Sequence, residues 1–323
     1  MSQEHLLLSV VTPAFNEADS LPILYQRLSR VLGDGPMQWE WILVDDHSSD
    51  NTFAVTQQIA NQDARVKCIR LSHNFGSHIA LSCGLRHTSG DCAVVLAADL
   101  QDPPEILPTL MTQWRDGAQV VWAVRSQQDG SPNALPLFSR LYYFLMRHIL
   151  GMKQMPLTGA DFFLIDRRVV DAFREFGENN TSILALITWM GFRQTKILYE
   201  KQPRQYGRSG WSLGKKIKMV IDSVISFSYF PIRIMSLLGF GVAIFGFLYA
   251  IVVVINGLAG RPPGGWASLM VAVLVIGGMQ MVMMGVLGEY LWRALDEARR
   301  RPQYIIEATV NLSLSQKQKN HGA

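Results

Sequence analysis

Three short clusters carry the residue types that could do chemistry. The first is Pro13-Ala14-Phe15-Asn16-Glu17, the second Asp45-Asp46-His47-Ser48-Ser49-Asp50, and the third Asp99-Leu100-Gln101-Asp102-Pro103-Pro104-Glu105. Each places carboxylates and amides directly after an apolar run, and together they could grip a polar ligand. Taken singly, each has a plainer reading. Asn16 and Asp50 could be helix N-caps, and Asp102 followed by two prolines could be a turn into a helix start. Three such clusters at successive strand ends are not explained by capping alone. No G-x-G-x-x-G or Walker pattern is present, so a glycine loop cradling phosphate is not indicated. His47, His73 and His78 have no partners at metal-ligand spacing and remain unassigned. Cys68, Cys83 and Cys92 are too few and too scattered for a zinc site or a disulfide framework, and read as reduced core thiols.

The elements that must position these clusters follow from the hydrophobic pattern. Apolar runs at 6–12, 41–45, 66–71, 92–98 and 118–124 are continuous, as in strands buried on both faces of a parallel sheet. Helical spacing lies between them, at 18–32, 51–62, 77–88 and 105–116. Alternating strand and helix predicts a doubly wound α/β domain. Ligands bind such sheets at the carboxyl ends of the strands, where the three clusters fall.

The chain has 323 residues, of which 49% are apolar and only 17% charged, with a mean hydropathy of +0.13. A disordered chain is excluded, because such chains are polar and highly charged. The net charge of +4 is too mild to point to nucleic acid. The apolar excess is concentrated near the C-terminus. Residues 234–258 and 266–288 contain no charge, and each run reaches the length of about 20 residues that crosses a bilayer. Gly and Pro crowd the 259–265 segment between them and predict a tight hairpin. Lys201, Arg204, Arg208, Lys215, Lys216, Lys218 and Arg233 precede the first span. Arg293, Arg299, Arg300 and Arg301 follow the second, and only Arg261 lies between. By the positive-inside rule both ends of the hairpin are cytoplasmic. No signal peptide is expected at the N-terminus. Leu213, Ile217, Val220, Ile221, Val224 and Ile225 recur at helical spacing opposite lysines, which predicts an amphipathic helix in the membrane interface. The expected organisation is a catalytic domain over 1–210, an interface helix over 211–230, a transmembrane hairpin over 231–290 and a cytoplasmic tail over 291–323.

The segments VVTPAFNE (10–17), VDDHSSDNT (44–52), RLSHNFGSHIALSCGL (70–85), AADLQDPPE (97–105), TGADFFLIDRRVV (158–170) and PRQYGRSGW (203–211), followed by two spans, form a known combination. In them the chain resembles the inverting family 2 glycosyltransferases of GT-A fold. Within that family it looks like the polyprenyl-phosphate glycosyltransferases, which include bactoprenol glucosyltransferases and dolichyl-phosphate mannose synthases. The resemblance implies a GT-A, Rossmann-like, mostly parallel sheet. It implies that Pro13, Ala14, Asn16 and Glu17 line the nucleotide, and that Asp45 and Asp46 hold its base and ribose. Asp99 and Gln101 would hold Mg²⁺ or Mn²⁺ on the donor diphosphate. Asp161 would stand beside the transferred sugar as a base or orienting group. Arg125, Ser139 and Arg140 would surround the acceptor phosphate, with Arg204 and Arg208 also in reach. The pattern departs at two positions: Ala97 stands where the family has a second Asp, and Phe163 where close members carry Arg.

The resulting expectation is an enzyme of the inner membrane with its catalytic domain in the cytoplasm. It would transfer a hexose, glucose first, from a UDP-sugar to undecaprenyl or another polyprenyl phosphate, with inversion. Formamido-arabinose, or mannose from GDP-mannose, are the alternative sugars, and a weakly catalytic nucleotide-sugar-binding scaffold is the alternative of another class. The lipid bilayer is an expected partner, nucleic acid is not, and the resemblance implies a homo-oligomer, specifically a tetramer.

Overall fold

The computed structural model describes residues 6–33, 37–126, 162–176, 182–202, 230–259, 265–299 and 301–312. They fall into two compact units. One holds the chain up to Gln202 and the segment from Pro302 onward, and the other holds the two long helices near the C-terminus.

The first unit is built on an eight-stranded sheet in the order β7-β5-β6-β4-β1-β2-β3-β8. β1 (Leu7–Ala14), β2 (Gln38–Asp45), β3 (Val66–Leu71) and β4 (Cys92–Val95) are mutually parallel. β5 (Val120–Arg125) runs parallel to β7 (Gln194–Tyr199) at the far edge. β6 (Phe162–Asp166) enters antiparallel between β4 and β5. Two successive reversals leave β5 pointing the same way as β4, so the carboxyl ends of β4, β1, β2 and β5 share one edge. β8 (Ile306–Val310) adds antiparallel to β3. The residues read from sequence as a cytoplasmic tail therefore contribute a strand to this sheet.

The helices follow from apolar spacing. α1 (Leu21–Leu32) buries Leu21, Leu24, Leu28 and Leu32 on one stripe, after a proline in its first turn. These belong to one buried core cluster with Leu8, Val10, Trp41 and Leu43, where each fully buried aliphatic side chain contributes about 1.5–3 kcal/mol. α2 (Thr52–Gln62) and α3 (Ser77–Arg86) join successive parallel strands. At Gly84, α3 comes so close to the sheet that an added Cβ would lie 2.3 Å from a Val11 methyl and 3.2 Å from a Val44 methyl. α4 (Leu107–Arg115) follows a 3₁₀ turn at Pro104–Ile106. α5 (Arg167–Glu175) is capped by Asp166, whose carboxylate accepts from the Arg168 N–H. α6 (Ile183–Trp189) precedes β7.

The second unit consists of α7 (Phe230–Leu258) and α8 (Trp266–Ala298). Within them Ile232–Asn256 and Leu269–Ala298 are long and apolar enough to cross a membrane, with mean hydropathies of 2.6 and 2.2. Phe245, Phe247 and Leu258 are exposed, so these helices bury no soluble core. The residues of the expected interface helix lie outside the described residues, apart from Phe230 at the start of α7.

Candidate active site

The site lies at the shared carboxyl edge, and the backbone there is bent for it. Asn16, His47 and Leu100 all adopt positive φ, at 57°, 57° and 61°, one in each of the three acidic clusters. Asn tolerates this region, whereas Leu rarely adopts it. Unfavourable backbone at three adjacent strand ends is the kind of strain that accumulates at functional sites.

The first two clusters are tied to each other. The Asn16 N–H donates to Ser48 Oγ at 2.9 Å, and Asn16 Oδ1 accepts from the Ser49 N–H at 2.9 Å and its hydroxyl at 3.2 Å. The Glu17 N–H donates to Thr52 Oγ1. Asn16 therefore ties two loops together rather than capping α1, whose N-cap is Ser20. Asp50 Oδ1 accepts from the Thr52 N–H and hydroxyl. Burial would push its carboxyl up, but the bonds from Thr52 and Ala18 outweigh that and hold it below its ordinary value. The N-cap of α2 is Asn51, without a side-chain cap bond, so Asp50 is not the cap and instead holds the turn just before the helix.

Asp45 and Asp46 are both almost fully buried. Asp45 Oδ1 accepts from the Ser48 N–H at 3.0 Å. Its Oδ2 lies 3.6 Å from the Arg70 guanidinium and takes no hydrogen bond among the described residues. Asp46 accepts from the N–H groups of Phe75 and Gly76 at 2.7 and 2.8 Å, one on each oxygen. It pins the turn that enters α3, where Gly76 takes a positive φ of 96°. Burial is the largest influence on its carboxyl and raises its pKa, against the lowering effect of those two bonds. The loop-holding part of Asp46 has no signal in the sequence, because its partners are thirty residues away.

The third cluster is braced from β7. Asp99 is 9% exposed, and its Oδ1 accepts from the Gln101 N–H at 3.2 Å. Asp102 is buried and accepts from the Tyr199 hydroxyl at 2.5 Å, with Lys201 Nζ at 3.7 Å. The Gln202 N–H donates to the Gln101 carbonyl at 2.9 Å. Arg27 holds Glu105 through two hydrogen bonds and reaches Gln202 at 3.4 Å. Burial and the negative charge of Asp102 push the Tyr199 phenol far up, so it stays a donor. Tyr199, Lys201 and Gln202 are structural partners of the third cluster that the sequence pattern did not mark as such.

Arg125 ends β5 on the same edge, opposite Tyr199 in the β5–β7 register. Its Nε is buried without a hydrogen bond among the described residues. Pro13 and Ala14 end β1, as expected. Asp161, Ser139, Arg140, Arg204 and Arg208 lie outside the described residues. Phe163 is fully buried in β6 against Trp122, with ring centroids 5.2 Å apart. Its place in the core explains why an apolar side chain stands there.

No group of three His, Cys, Asp or Glu side chains able to hold a metal occurs among the described residues. Asp99 offers one nearly buried carboxylate and Gln101 a side-chain amide oxygen, the hard oxygen donors that a cation such as Mg²⁺ or Mn²⁺ takes beside substrate oxygens and water.

Residues 9–174 match the family model described as glycosyl transferase family 2. A bactoprenol glucosyl transferase of Shigella phage SfV is 32% identical over 301 residues, covering 93% of this chain and 98% of that one. An undecaprenyl-phosphate 4-deoxy-4-formamido-L-arabinose transferase of Yersinia enterocolitica is 34% identical over 310 residues, covering 94% and 93%. Among solved structures, glucosyl-3-phosphoglycerate synthase from Mycobacterium tuberculosis, in complex with Mn²⁺, UDP and glucosyl-3-phosphoglycerate, superposes with a TM-score of 0.50. It covers 68% of this chain and 79% of that one at 19% identity, a likeness of fold.

Proposed function

The chain belongs to glycosyl transferase family 2, and from that membership we propose that it transfers a sugar from a UDP-sugar to a polyprenyl phosphate, with glucose as the sugar and inversion at the anomeric carbon. The observation that carries this reading is the pairing, in one chain, of a polar edge built from β1, β2 and β4 with two helices able to span a bilayer. A soluble donor and a lipid acceptor need both. The names of the relatives, which act on bactoprenol and undecaprenyl phosphate, support the same acceptor class.

In this reading Asn16, Glu17 and Asp45 bind the nucleoside, and Asp46 holds the turn before α3. Asp99 and Gln101 would hold Mg²⁺ or Mn²⁺, which neutralises charge on the leaving diphosphate. The Asp99 carboxylate is nearly buried, so its attraction for that cation is little screened. Arg125 offers a guanidinium at the same edge for the acceptor phosphate, a geometry arginine meets bidentately. Asp161, Ser139, Arg140, Arg204 and Arg208 complete the proposal from sequence. A phosphomonoester has a second pKa near about 6, so the acceptor oxygen is already an anion at neutral pH and needs no strong base. Positioning and charge neutralisation then supply most of the acceleration, in a single inverting displacement.

The strand β8 supports an inner-membrane hairpin. It follows α8 in sequence and pairs with β3, which precedes α7, so the chain leaves and re-enters the same unit. That return to one unit supports an even number of crossings, and the basic flanks support a cytoplasmic side for both ends of the hairpin. The deciding experiment is transfer from a panel of labelled nucleotide sugars to undecaprenyl phosphate by the purified chain. UDP-glucose as the preferred donor supports the proposal. Preference for GDP-mannose or UDP-formamido-arabinose would replace glucose, and no transfer from any donor would refute it.

A further inference from the structure

Arg70 sits between two carboxylates from distant parts of the chain. Its Nε donates to Glu307 Oε2 at 3.0 Å, while its terminal nitrogen lies 3.6 Å from Asp45 Oδ2, beyond hydrogen-bond range. The Phe53 ring flanks the guanidinium at 5.0 Å. Glu307 also lies 3.4 Å from His47 Nδ1, whose nearer partner is the Leu71 carbonyl at 3.1 Å.

Glu307 owes this position to a bulge. In the pairing of β3 with β8, Arg70 opposes Ala308 and Leu71 opposes Ile306, so Glu307 is the extra residue of the ladder. A bulge re-aims the side chain it carries, and bulges gather beside active sites. The strand is anchored on both sides of the bulge. The Ser72 N–H donates to the Ile305 carbonyl, and the Asn311 side chain donates to the carbonyls of Ala60 and Val66. An edge strand needs none of this merely to cover β3.

We propose that Glu307 is a positioning residue for the donor nucleotide: it draws the Arg70 guanidinium off Asp45 and keeps that carboxylate available to the nucleoside. This rests on the reading of Asp45 as a nucleoside ligand. Asp45 Oδ2 is the acceptor at stake, since it takes no hydrogen bond among the described residues. Without the charge on Glu307, Asp45 is the remaining carboxylate facing Arg70. The guanidinium then closes the gap and competes with the ligand for that oxygen. The segment that follows the membrane hairpin thereby sets donor affinity.

The test uses the full-length chain in detergent, with calorimetry of UDP binding in the presence of Mg²⁺ and steady-state kinetics. Half-exposed ion pairs have modest effects, so Glu307→Gln should weaken UDP and raise the donor KM about three- to fivefold. The kcat at saturating donor should be unchanged, a split that general loosening of the strand would not produce. In an Arg70→Met background, Glu307→Gln should have no further effect, because the competing cation is gone. An undiminished effect in that background refutes the proposal. So does normal UDP affinity in Glu307→Gln when Asp45→Asn weakens UDP. Normal UDP affinity in Asp45→Asn itself would instead remove the donor-site reading, and the proposal with it.

Discussion

Replacing Tyr199 by Phe tests whether β7 braces the loop that carries Asp99 and Gln101. The hydroxyl donates at 2.5 Å to Asp102, a carboxylate that is 1% exposed. A hydrogen bond to a charged group contributes about 1.5–3 kcal/mol. Lys201, 3.7 Å from the same carboxylate with a side chain 18% exposed, remains in the variant and offsets part of the loss. That places the expected destabilisation near about 2 kcal/mol. For a unit of this size, 1 kcal/mol shifts the melting temperature by about 2–4 °C, so the variant should melt roughly 4–8 °C lower. The ring still packs edge-on to Phe162, so the apolar contacts survive and the measured effect belongs to the hydroxyl. Function should follow stability. A loosened Asp102 frees the turn that ends in Gln101, and the Mg²⁺ concentration for half-maximal transfer should rise several-fold. The assays are thermal unfolding in detergent and a metal titration of transfer. A variant that melts with the parent and keeps its metal dependence would show that Tyr199 does not brace the loop.

Asp99→Asn keeps the size of the side chain but removes its charge. Turnover should fall by about two orders of magnitude or more, as when one electrostatic stabiliser is lost, and UDP binding should lose its dependence on Mg²⁺; normal turnover in excess EDTA would contradict this. Glu40, on β2, joins β1, β3 and the turn before β4 through Ser9 Oγ, Lys67 and the Ser89 N–H. Burial alone would raise its pKa, but these three partners outweigh it and hold it below its ordinary value. The stability it contributes is therefore present above about pH 4.5 and is lost as pH falls through the lowered folded value. Glu40→Gln should lower stability by about 2–3 kcal/mol at neutral pH, less than a fully buried pair because Lys67 is partly exposed, and should flatten the acid limb of the stability curve. For the hairpin, Pro262→Cys should label with an impermeant thiol reagent from outside intact cells, while a reporter after Ala323 should be active only in the cytoplasm. Labelling from inside only would reverse the orientation.

The parallel part of the sheet was legible because each strand is buried on both faces. β1 to β5 therefore appear as predominantly apolar runs, interrupted in β2 and β3 by Glu40, Lys67 and Arg70, with helices at the expected intervals. The strand-end positions of Asn16, Asp45 and Asp99 follow directly from that alternation. What escaped were the elements defined by partners far along the chain. Phe162–Asp166 is apolar enough for a strand, yet nothing local says that it inserts backwards between β4 and β5. Tyr199 reads as the last residue of a short strand, and its bond to Asp102 spans nearly a hundred residues.

Ile306–Val310 is the instructive case. IEATV is short, half-polar and follows a long helix, which is what a solvated tail looks like. Its structure depends on β3, an edge strand that would otherwise expose unpaired N–H and C=O groups, a known liability of sheet edges. Covering that edge is reason enough for a strand. It is not reason enough for a bulge that turns a glutamate toward a guanidinium beside a buried aspartate. A regular antiparallel pair would satisfy more backbone groups than a bulged one. The bulge thus forgoes ladder hydrogen bonding at the carboxyl edge where β2 ends in Asp45. Local rules broken without a stability gain are expected where a fold serves a ligand. On that ground we assign the last strand to the proposed donor site as well as to the sheet.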